Sequence, residues 1–257
     1  MLPKRLGPRR LAHLEEVTVV DHLEELRSRI FVAGGAVVIC SIVGYVAHRR
    51  ILELLIAALP PNHRKLTTFG VTEPFTTSLK VSFVAGVLMA LPFVLWQLWN
   101  FLAPAVNGGT QRTIGLFTLF AGVLMLAGVA FGDRIALPAA LKFLTNYDNS
   151  VFNVQLRAAD YISFALLVFA ACGAVFELPI VVLGLVRVRA LSSAKLRRNR
   201  RMGYLIVCAM GVALPGVDPV TTIVETIPLL ILFEFSIWLS AIFERRWFAA
   251  PLIGDPA

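Results

Sequence analysis

One acidic residue, Glu177, lies inside a run from Tyr161 to Val186 that is otherwise uncharged. Burying a carboxylate near the centre of a bilayer costs at least about 2.5 kcal/mol, so such a residue faces a protein partner, a cavity or water and is a candidate for function. Pro179 follows and withholds a backbone N–H from the helix. Two interpretations of Glu177 stay open: a functional carboxylate, or a hydrogen bond to a neighbouring helix that fixes packing.

Two further glutamates, Glu225 and Glu234, lie in the last apolar run with Pro228 between them. Glu225 is near enough to the end of this run that we expect it to be solvated. Glu234 is deeper and is the second candidate for a functional carboxylate, with bonding between helices as the alternative. Intramembrane carboxylates also suit ion relays, so a proton- or cation-coupled secondary transporter using Glu177 and Glu234 is the alternative function. No inverted repeat or matching pair of broken segments supports a transporter.

Enzyme chemistry has little support in the sequence. Ser192 and Lys195 have the spacing of a serine–lysine acyl-enzyme motif, but they lie in a basic loop without the other motif residues. We therefore expect Ser192 or Ser193 to cap a short helix instead. The three cysteines fall in apolar runs and the four histidines in polar flanks, without metal-ligand spacing. The sequence predicts no enzyme, no metal and no cofactor.

The elements that position these carboxylates are membrane helices. The composition is 58% hydrophobic with a mean hydropathy of +0.77, which is too apolar for a soluble domain of 257 residues. A crossing needs about 20 apolar residues. The fold class is therefore an all-α polytopic membrane protein, a single domain over residues 1–257 with flexible tails at 1–20 and 246–257. Six spans are predicted, at residues 30–47, 81–105, 113–132, 161–186, 202–214 and 220–243, with the fifth and sixth short.

Orientation follows from the basic residues, which are retained on the cytoplasmic side. Sixteen of the 24 Lys and Arg residues fall in the tails and in the loops after the second and fourth spans. Both termini are predicted to be cytoplasmic. The net charge of +8 is accounted for by this bias and by attraction to anionic headgroups, so no nucleic-acid partner is expected.

The segment before the first span carries its own charge pattern. Asp21 and Glu24 have the spacing of a capping box, which predicts that a helix begins with Asp21 as its N-cap. Glu25 and Arg29 are four residues apart in the order that favours an ion pair. This ion pair by itself would explain why a glutamate is present at position 25, without a role in binding.

Four short motifs in the chain resemble those of the TatC family, the polytopic subunit of the twin-arginine protein translocase. They are His22-Leu23-Glu24-Glu25-Leu26-Arg27, Trp99-Asn100-Phe101-Leu102-Ala103-Pro104-Ala105, Phe176-Glu177-Leu178-Pro179, and Asp218 with Pro228 and Phe233-Glu234. The resemblance implies a concave, glove-like bundle in the cytoplasmic membrane of a prokaryote. It also implies a receptor for twin-arginine signal peptides of folded precursors, driven by the proton-motive force and working with the single-span subunits TatA and TatB. Self-association in the receptor complex is implied as well.

The same resemblance implies roles for particular residues. Glu25 would pair with the signal arginines, and the residues that would shape this binding region are Glu24, Arg27, Phe101, Pro104 and Thr110. A carboxylate that contacts two nitrogens of a guanidinium prefers arginine to lysine. Partner helices would dock at Glu177, Asp218 and Glu234.

The chain departs from the family pattern in the loop after the second span. The family has a Pro-Gly-Leu stretch followed by a glutamate, whereas this chain has Thr110 at the position of that glutamate. Half of the expected carboxylate site for the arginine pair is therefore absent, and Glu24 is a candidate substitute. Relaxed signal preference, weaker binding, and a divergent paralogue that needs another copy of the subunit all stay open.

Overall fold

The structure is a computed structural model that describes residues 19–61, 64–102, 111–147, 155–187, 189–214 and 218–248. These residues form helices and a π-helical turn, with one isolated bridge between Thr67 and Arg157. In chain order the elements are α1 (Val19–Ala57), α2 (Glu73–Leu102), α3 (Gln111–Phe131), the π-helical turn (Gly132–Ala136), α4 (Leu137–Asn146), α5 (Ala158–Phe176), α6 (Leu178–Arg187), α7 (Ser193–Arg198), α8 (Arg200–Ala213) and α9 (Pro219–Phe248).

Five helical segments among the described residues are long and apolar enough to cross a membrane: Leu23–Ala57, Glu73–Phe101, Gly115–Asn146, Ala158–Arg187 and Pro219–Arg245. The predicted fifth span corresponds to α8, whose 14 residues reach only about 21 Å. Its shortness is confirmed. The prediction of a short sixth span is wrong, because helix α9 has 30 residues and passes through Pro228 without a break.

Several helix ends differ from the predicted spans because helicity persists where hydropathy falls. Helix α1 continues through Arg49 and Arg50, which are exposed, and ends only just before Pro60. Arginine is a good helix former, so a charged pair ends an apolar run without ending the helix. Helix α1 also begins at Val19, so Asp21 lies inside its first turn and is not the N-cap. Helix α9 extends through Phe248 into the predicted flexible tail.

Helices α1 and α2 are antiparallel neighbours that approach closely at two glycines. A Cβ at Gly44 would lie 2.7 Å from the carbonyl oxygen of Ser82, and a Cβ at Gly86 would lie 2.5 Å from the backbone nitrogen of Ser41. Small residues let membrane helices pack backbone to backbone. This contact holds the start of α1 beside the end of α2, where the predicted binding residues lie.

We expect Gly86→Ala to destabilise the protein by about 2 kcal/mol, because the added methyl group must push the two backbones apart. Thermal unfolding in one detergent would measure this loss. Gly35→Ala on α1 is the matched control, since a Cβ there meets no atom within 4 Å. Equal stability of the Gly86→Ala variant and the unaltered protein would contradict the close packing.

At the opposite end of the bundle, a buried carboxylate joins two loops. Glu73 accepts hydrogen bonds from the backbone N–H groups of Phe69, Gly70 and Ala159 at 3.0 to 3.2 Å. It also pairs with Arg157 at 3.2 Å, and this contact raises the pKa of the Arg157 guanidinium. These bonds fasten the segment before α2 to the start of α5, over a core that includes Leu55, Leu59 and Tyr161.

We call the end of the bundle where α1, α3 and α8 begin the basic end, because it carries the excess of Lys and Arg. Helix α7 lies there, and Ser192 caps it by accepting a hydrogen bond from the backbone N–H of Lys195 at 3.2 Å. The predicted capping role of Ser192 is confirmed. Glu244 near the end of α9 accepts a hydrogen bond from the backbone N–H of Ser193 at 2.7 Å, which ties this loop to the last helix.

Candidate functional site

Glu25 lies in a small polar cluster at the basic end. Arg29 donates from Nε and Nη2 to Oε1 of Glu25 at 2.9 and 2.6 Å, so the predicted pair is confirmed. The side chains of Arg29 and Glu25 are only 11% and 9% exposed. Arg29 also donates from Nη1 to Oε1 of Gln97 on α2 at 3.2 Å. The pair is therefore part of the contact between α1 and α2 and differs from a surface ion pair, which contributes little.

Gln97 and Arg29 are not among the residues that the sequence predicts for this site. Gln97 is buried in the described bundle, four residues before Phe101 on the same face of α2. The sequence offers one indication of a role for Gln97, namely that it is a polar residue among the aromatic residues at the end of α2. Its contact with Arg29 arises only because α1 packs on α2. Glu25, Arg29 and Gln97 thus place a carboxylate, a guanidinium and an amide side by side, and Phe101 is half-buried one turn further along α2.

Two of the other residues predicted for this region, Glu24 and Arg27, are accessible. Glu24 is exposed, and the Arg27 guanidinium is exposed over the Phe31 ring, 5.7 Å from its centroid. Pro104 and Thr110 lie outside the described residues. The cluster thus presents one exposed carboxylate and one largely buried, guanidinium-bound carboxylate on consecutive residues of α1.

Glu177 marks a break within the fourth predicted span. Helix α5 ends at Phe176 and α6 begins at Leu178, with Glu177 between them at φ −75° and ψ −5°. Pro179 has no N–H to donate to the carbonyl of Val175, and the backbone N–H of Glu177 turns toward the carbonyls of Ala174 and Val175 instead. The backbone of Glu177, and not its side chain, compensates for the proline.

The Glu177 side chain is only 4% exposed, and within the described part of the chain neither carboxylate oxygen has a hydrogen-bond partner. This differs from the interpretation in which Glu177 bonds a neighbouring helix. The carboxylate that is predicted to receive a partner helix is thus enclosed by its own chain. A polar group of a partner would have to displace neighbouring side chains to reach it.

The two glutamates of α9 differ from each other in their surroundings. Glu225 is 2% exposed, so the expectation that it is solvated is wrong. Glu234 is 38% exposed and pairs with Arg200 at 3.0 Å, and it also accepts a hydrogen bond from the hydroxyl of Tyr204. Glu234 therefore links α9 to α8, as expected from the alternative interpretation in which it bonds a neighbouring helix. The alternative transporter function needs two free carboxylates, at Glu177 and Glu234. Glu234 is not free in the structure, because it is paired with Arg200.

Asp218 is buried at the start of α9, where its Oδ1 accepts a hydrogen bond from the backbone N–H of Thr221 at 2.7 Å. This is N-capping geometry. The structure therefore gives Asp218 a local structural role at the turn between α8 and α9.

A groove of about 330 Å³ lies between α6, α7, α8 and α9. Leu178, adjacent to Glu177, lies at its wall, and Lys195 and Asn199 are at the basic end. The rest of the lining is apolar: Val182, Leu185, Leu191, Leu196, Met202, Gly203, Ile206, Val207, Met210 and Phe233. An apolar groove that passes a buried carboxylate can accept a helix whose apolar side carries one polar group.

Comparison with known proteins decides the family. The model of the family described as "TatC: Sec-independent protein translocase protein (TatC)" matches residues 21–228. The chain belongs to the TatC family. The matched region begins at Asp21 in α1 and ends at Pro228 in α9. It therefore contains the Glu25 cluster, Glu177 and Asp218. The resemblance based on the short motifs is confirmed.

Relatives of the TatC family match almost the whole chain. TatC of Carboxydothermus hydrogenoformans is 33% identical over 234 residues, covering 91% of this chain and 96% of the relative. TatCd of Bacillus subtilis is 31% identical and covers 90% and 95%. A crystal structure of the twin arginine translocase receptor TatC in DDM superposes with a TM-score of 0.75 at 31% identity, covering 85% of this chain and 99% of that one. The chain is thus a multi-pass membrane protein and a Tat translocase subunit, a transport component rather than a catalytic enzyme.

Proposed function

We propose that this TatC-family chain is the signal-peptide receptor of a twin-arginine translocase in the cytoplasmic membrane of a prokaryote. The basic end faces the cytoplasm with both termini, and α8 makes the fifth of six crossings. Folded precursors are exported at the expense of the proton-motive force. The observation that carries the proposal is the contact of Glu25 with two nitrogens of the Arg29 guanidinium at this end.

A signal arginine would use the same chemistry. A guanidinium presents adjacent N–H donors to a carboxylate, whereas an ammonium group is a point charge without that fork, so Glu25 distinguishes arginine from lysine. Because Arg29 already occupies Oε1 of Glu25, the incoming arginine exchanges with it, and Gln97 holds Arg29 during the exchange. Glu24, exposed on the preceding position, receives the second arginine in place of the loop glutamate that Thr110 replaces.

The partner helices of TatA-type and TatB-type subunits are proposed to dock along the groove between α6, α7, α8 and α9. Its apolar lining suits a single-span helix, and Leu178 brings the groove next to Glu177. A polar group on the partner reaches Glu177 after local movement at the break between α5 and α6. Asp218 and Glu234 hold the α8–α9 hairpin in the conformation that forms the groove, and copies of the receptor self-associate in the complex.

Binding of a twin-arginine signal peptide to the protein in nanodiscs tests the proposal. We expect the peptide to bind at least about tenfold more tightly than its twin-lysine counterpart, because replacing a forked contact with a point charge loses at least one charge-assisted hydrogen bond. Fluorescence anisotropy with both peptides, at one salt concentration, gives the ratio. Equal affinities, or no binding of either peptide, would overturn the receptor function for this chain alone.

A further inference from the structure

One face of α9 carries three buried polar side chains near the start of the helix. Asp218, Thr221 and Glu225 follow one another at i, i+3 and i+7, which places them on one side of the helix. They are 3%, 0% and 2% exposed. This face of α9 is distinct from the one that carries Glu234 and from the groove between α6, α7, α8 and α9. No role in signal binding or partner docking uses Glu225 or Thr221.

These side chains leave four oxygen atoms unsatisfied. Within the residues that the structure describes, Oδ2 of Asp218, Oγ1 of Thr221 and both carboxylate oxygens of Glu225 are buried without a hydrogen-bond partner. Buried polar groups are ordinarily hydrogen-bonded, and a buried unpaired charge is costly. A buried hydroxyl without a partner, on the same helix face as two buried carboxylates, points to a polar ligand for this face.

The stretch of sequence around these groups carries no basic residue. Residues 202–244 contain no Lys or Arg, while they contain four acids: Asp218, Glu225, Glu234 and Glu244. Glu234 is paired with Arg200, and Glu244 accepts a backbone N–H. The opposing Asp133–Arg134 pair of the π-helical turn is directed to the surface, with Arg134 83% exposed. Of the four acids, Asp218 and Glu225 therefore have no described counter-ion.

The charges at this face balance if one monovalent cation is added. Asp218 lies at the N-terminus of α9, where the helix dipole and the N–H of Thr221 compensate a carboxylate. Among the described residues, the Glu225 carboxylate has no hydrogen-bond partner that would compensate its charge. Side chains on a helix lean toward its N-terminus, so Glu225 leans toward Thr221 and Asp218. A cation there would neutralise Glu225.

We propose that Asp218, Thr221 and Glu225 form a binding site for an alkali-metal cation at the start of α9. Carboxylate and hydroxyl oxygens are hard ligands, which bind hard cations such as Na⁺. A divalent ion fits less well, because the described residues contain no group of three or more His, Cys, Asp or Glu side chains placed to hold a metal. The bound cation would lower the cost of burying the Glu225 carboxylate and so stabilise the start of α9.

The test is cation-dependent stability of the full chain in a detergent. At fixed pH and ionic strength, with N-methyl-D-glucamine as the inert cation, Na⁺ or K⁺ is expected to raise the melting temperature by about 5 °C in a saturable manner. Glu225→Gln keeps the shape of the side chain and is expected to abolish the rise. Glu234→Gln, on the same helix, is the control that keeps it.

Direct binding of radioactive ²²Na⁺ by equilibrium dialysis gives a second measurement that does not depend on unfolding. We expect about one ion per chain in the unaltered protein and in Glu234→Gln, and none in Glu225→Gln or Asp218→Asn. Identical melting temperatures in all three cations would overturn the site, as would ²²Na⁺ binding that survives Glu225→Gln. A stability that follows pH and ignores Na⁺ and K⁺ would also overturn it, since the carboxyl groups would then hold protons.

Discussion

Glu25→Gln is expected to weaken binding of a twin-arginine signal peptide by about 10- to 100-fold, which corresponds to one charge-assisted contact with a guanidinium. The substitution keeps the size of the side chain and removes its charge. The preference for arginine over lysine should fall with the affinity, because the forked carboxylate contact is what separates the two residues. Titration of both peptides against the variant in nanodiscs measures both effects.

Glu25→Gln also disrupts the cluster with Arg29 and Gln97, so a second variant must separate binding from packing. Arg29→Met breaks the same ion pair but leaves the Glu25 carboxylate in place. If Glu25 binds signal arginines by exchange with Arg29, then Arg29→Met should bind the peptide more tightly than the unaltered protein. A similar loss of affinity in both variants would show that the cluster acts through packing alone. Glu24→Gln then reports whether the exposed neighbour receives the second arginine.

Glu177→Leu is expected to stabilise the isolated protein by about 2 kcal/mol and yet weaken recruitment of a single-span partner. Among the described residues the carboxylate has no hydrogen-bond partner, and replacing an unsatisfied buried acid by an apolar side chain removes its desolvation cost. A functional group that destabilises its own fold is the expected sign of a site that awaits a ligand. Thermal unfolding and co-purification with a TatB-type subunit measure the two effects.

The signal-peptide affinity of Glu177→Leu should be unchanged, because Glu177 lies in the break between α5 and α6, away from the cluster on α1 and α2. Glu234→Gln is the matched control: it breaks an ion pair with Arg200 and is expected to lower stability slightly. Unchanged partner recruitment by Glu177→Leu would mean that Glu177 does not contact the partner. A loss of stability in that variant would mean that its carboxylate is satisfied in the membrane.

The family and the membrane-spanning architecture could be predicted from the sequence, because apolar runs and short motifs are local properties of the chain. Contacts within one helical turn could be predicted as well. Glu25 and Arg29 meet because they are four residues apart on one helix. Ser192 caps α7 because it lies three residues before Lys195, whose backbone N–H donates a hydrogen bond to it. Helix ends were less predictable, since hydropathy falls at Arg49 and Arg50 while the helix continues.

The surroundings of the carboxylates were decided by tertiary structure. Distance along α9 suggested that Glu225 was solvated and that Glu234 lay deeper in the span. In the structure Glu225 faces the interior of the chain, while Glu234 faces Arg200 and Tyr204. Gln97 likewise enters the Glu25 cluster only because α1 packs on α2 at Gly44 and Gly86. Sequence determines how deep a residue lies along its helix, whereas burial depends on which face the neighbouring helices cover, and that is fixed only when the helices pack.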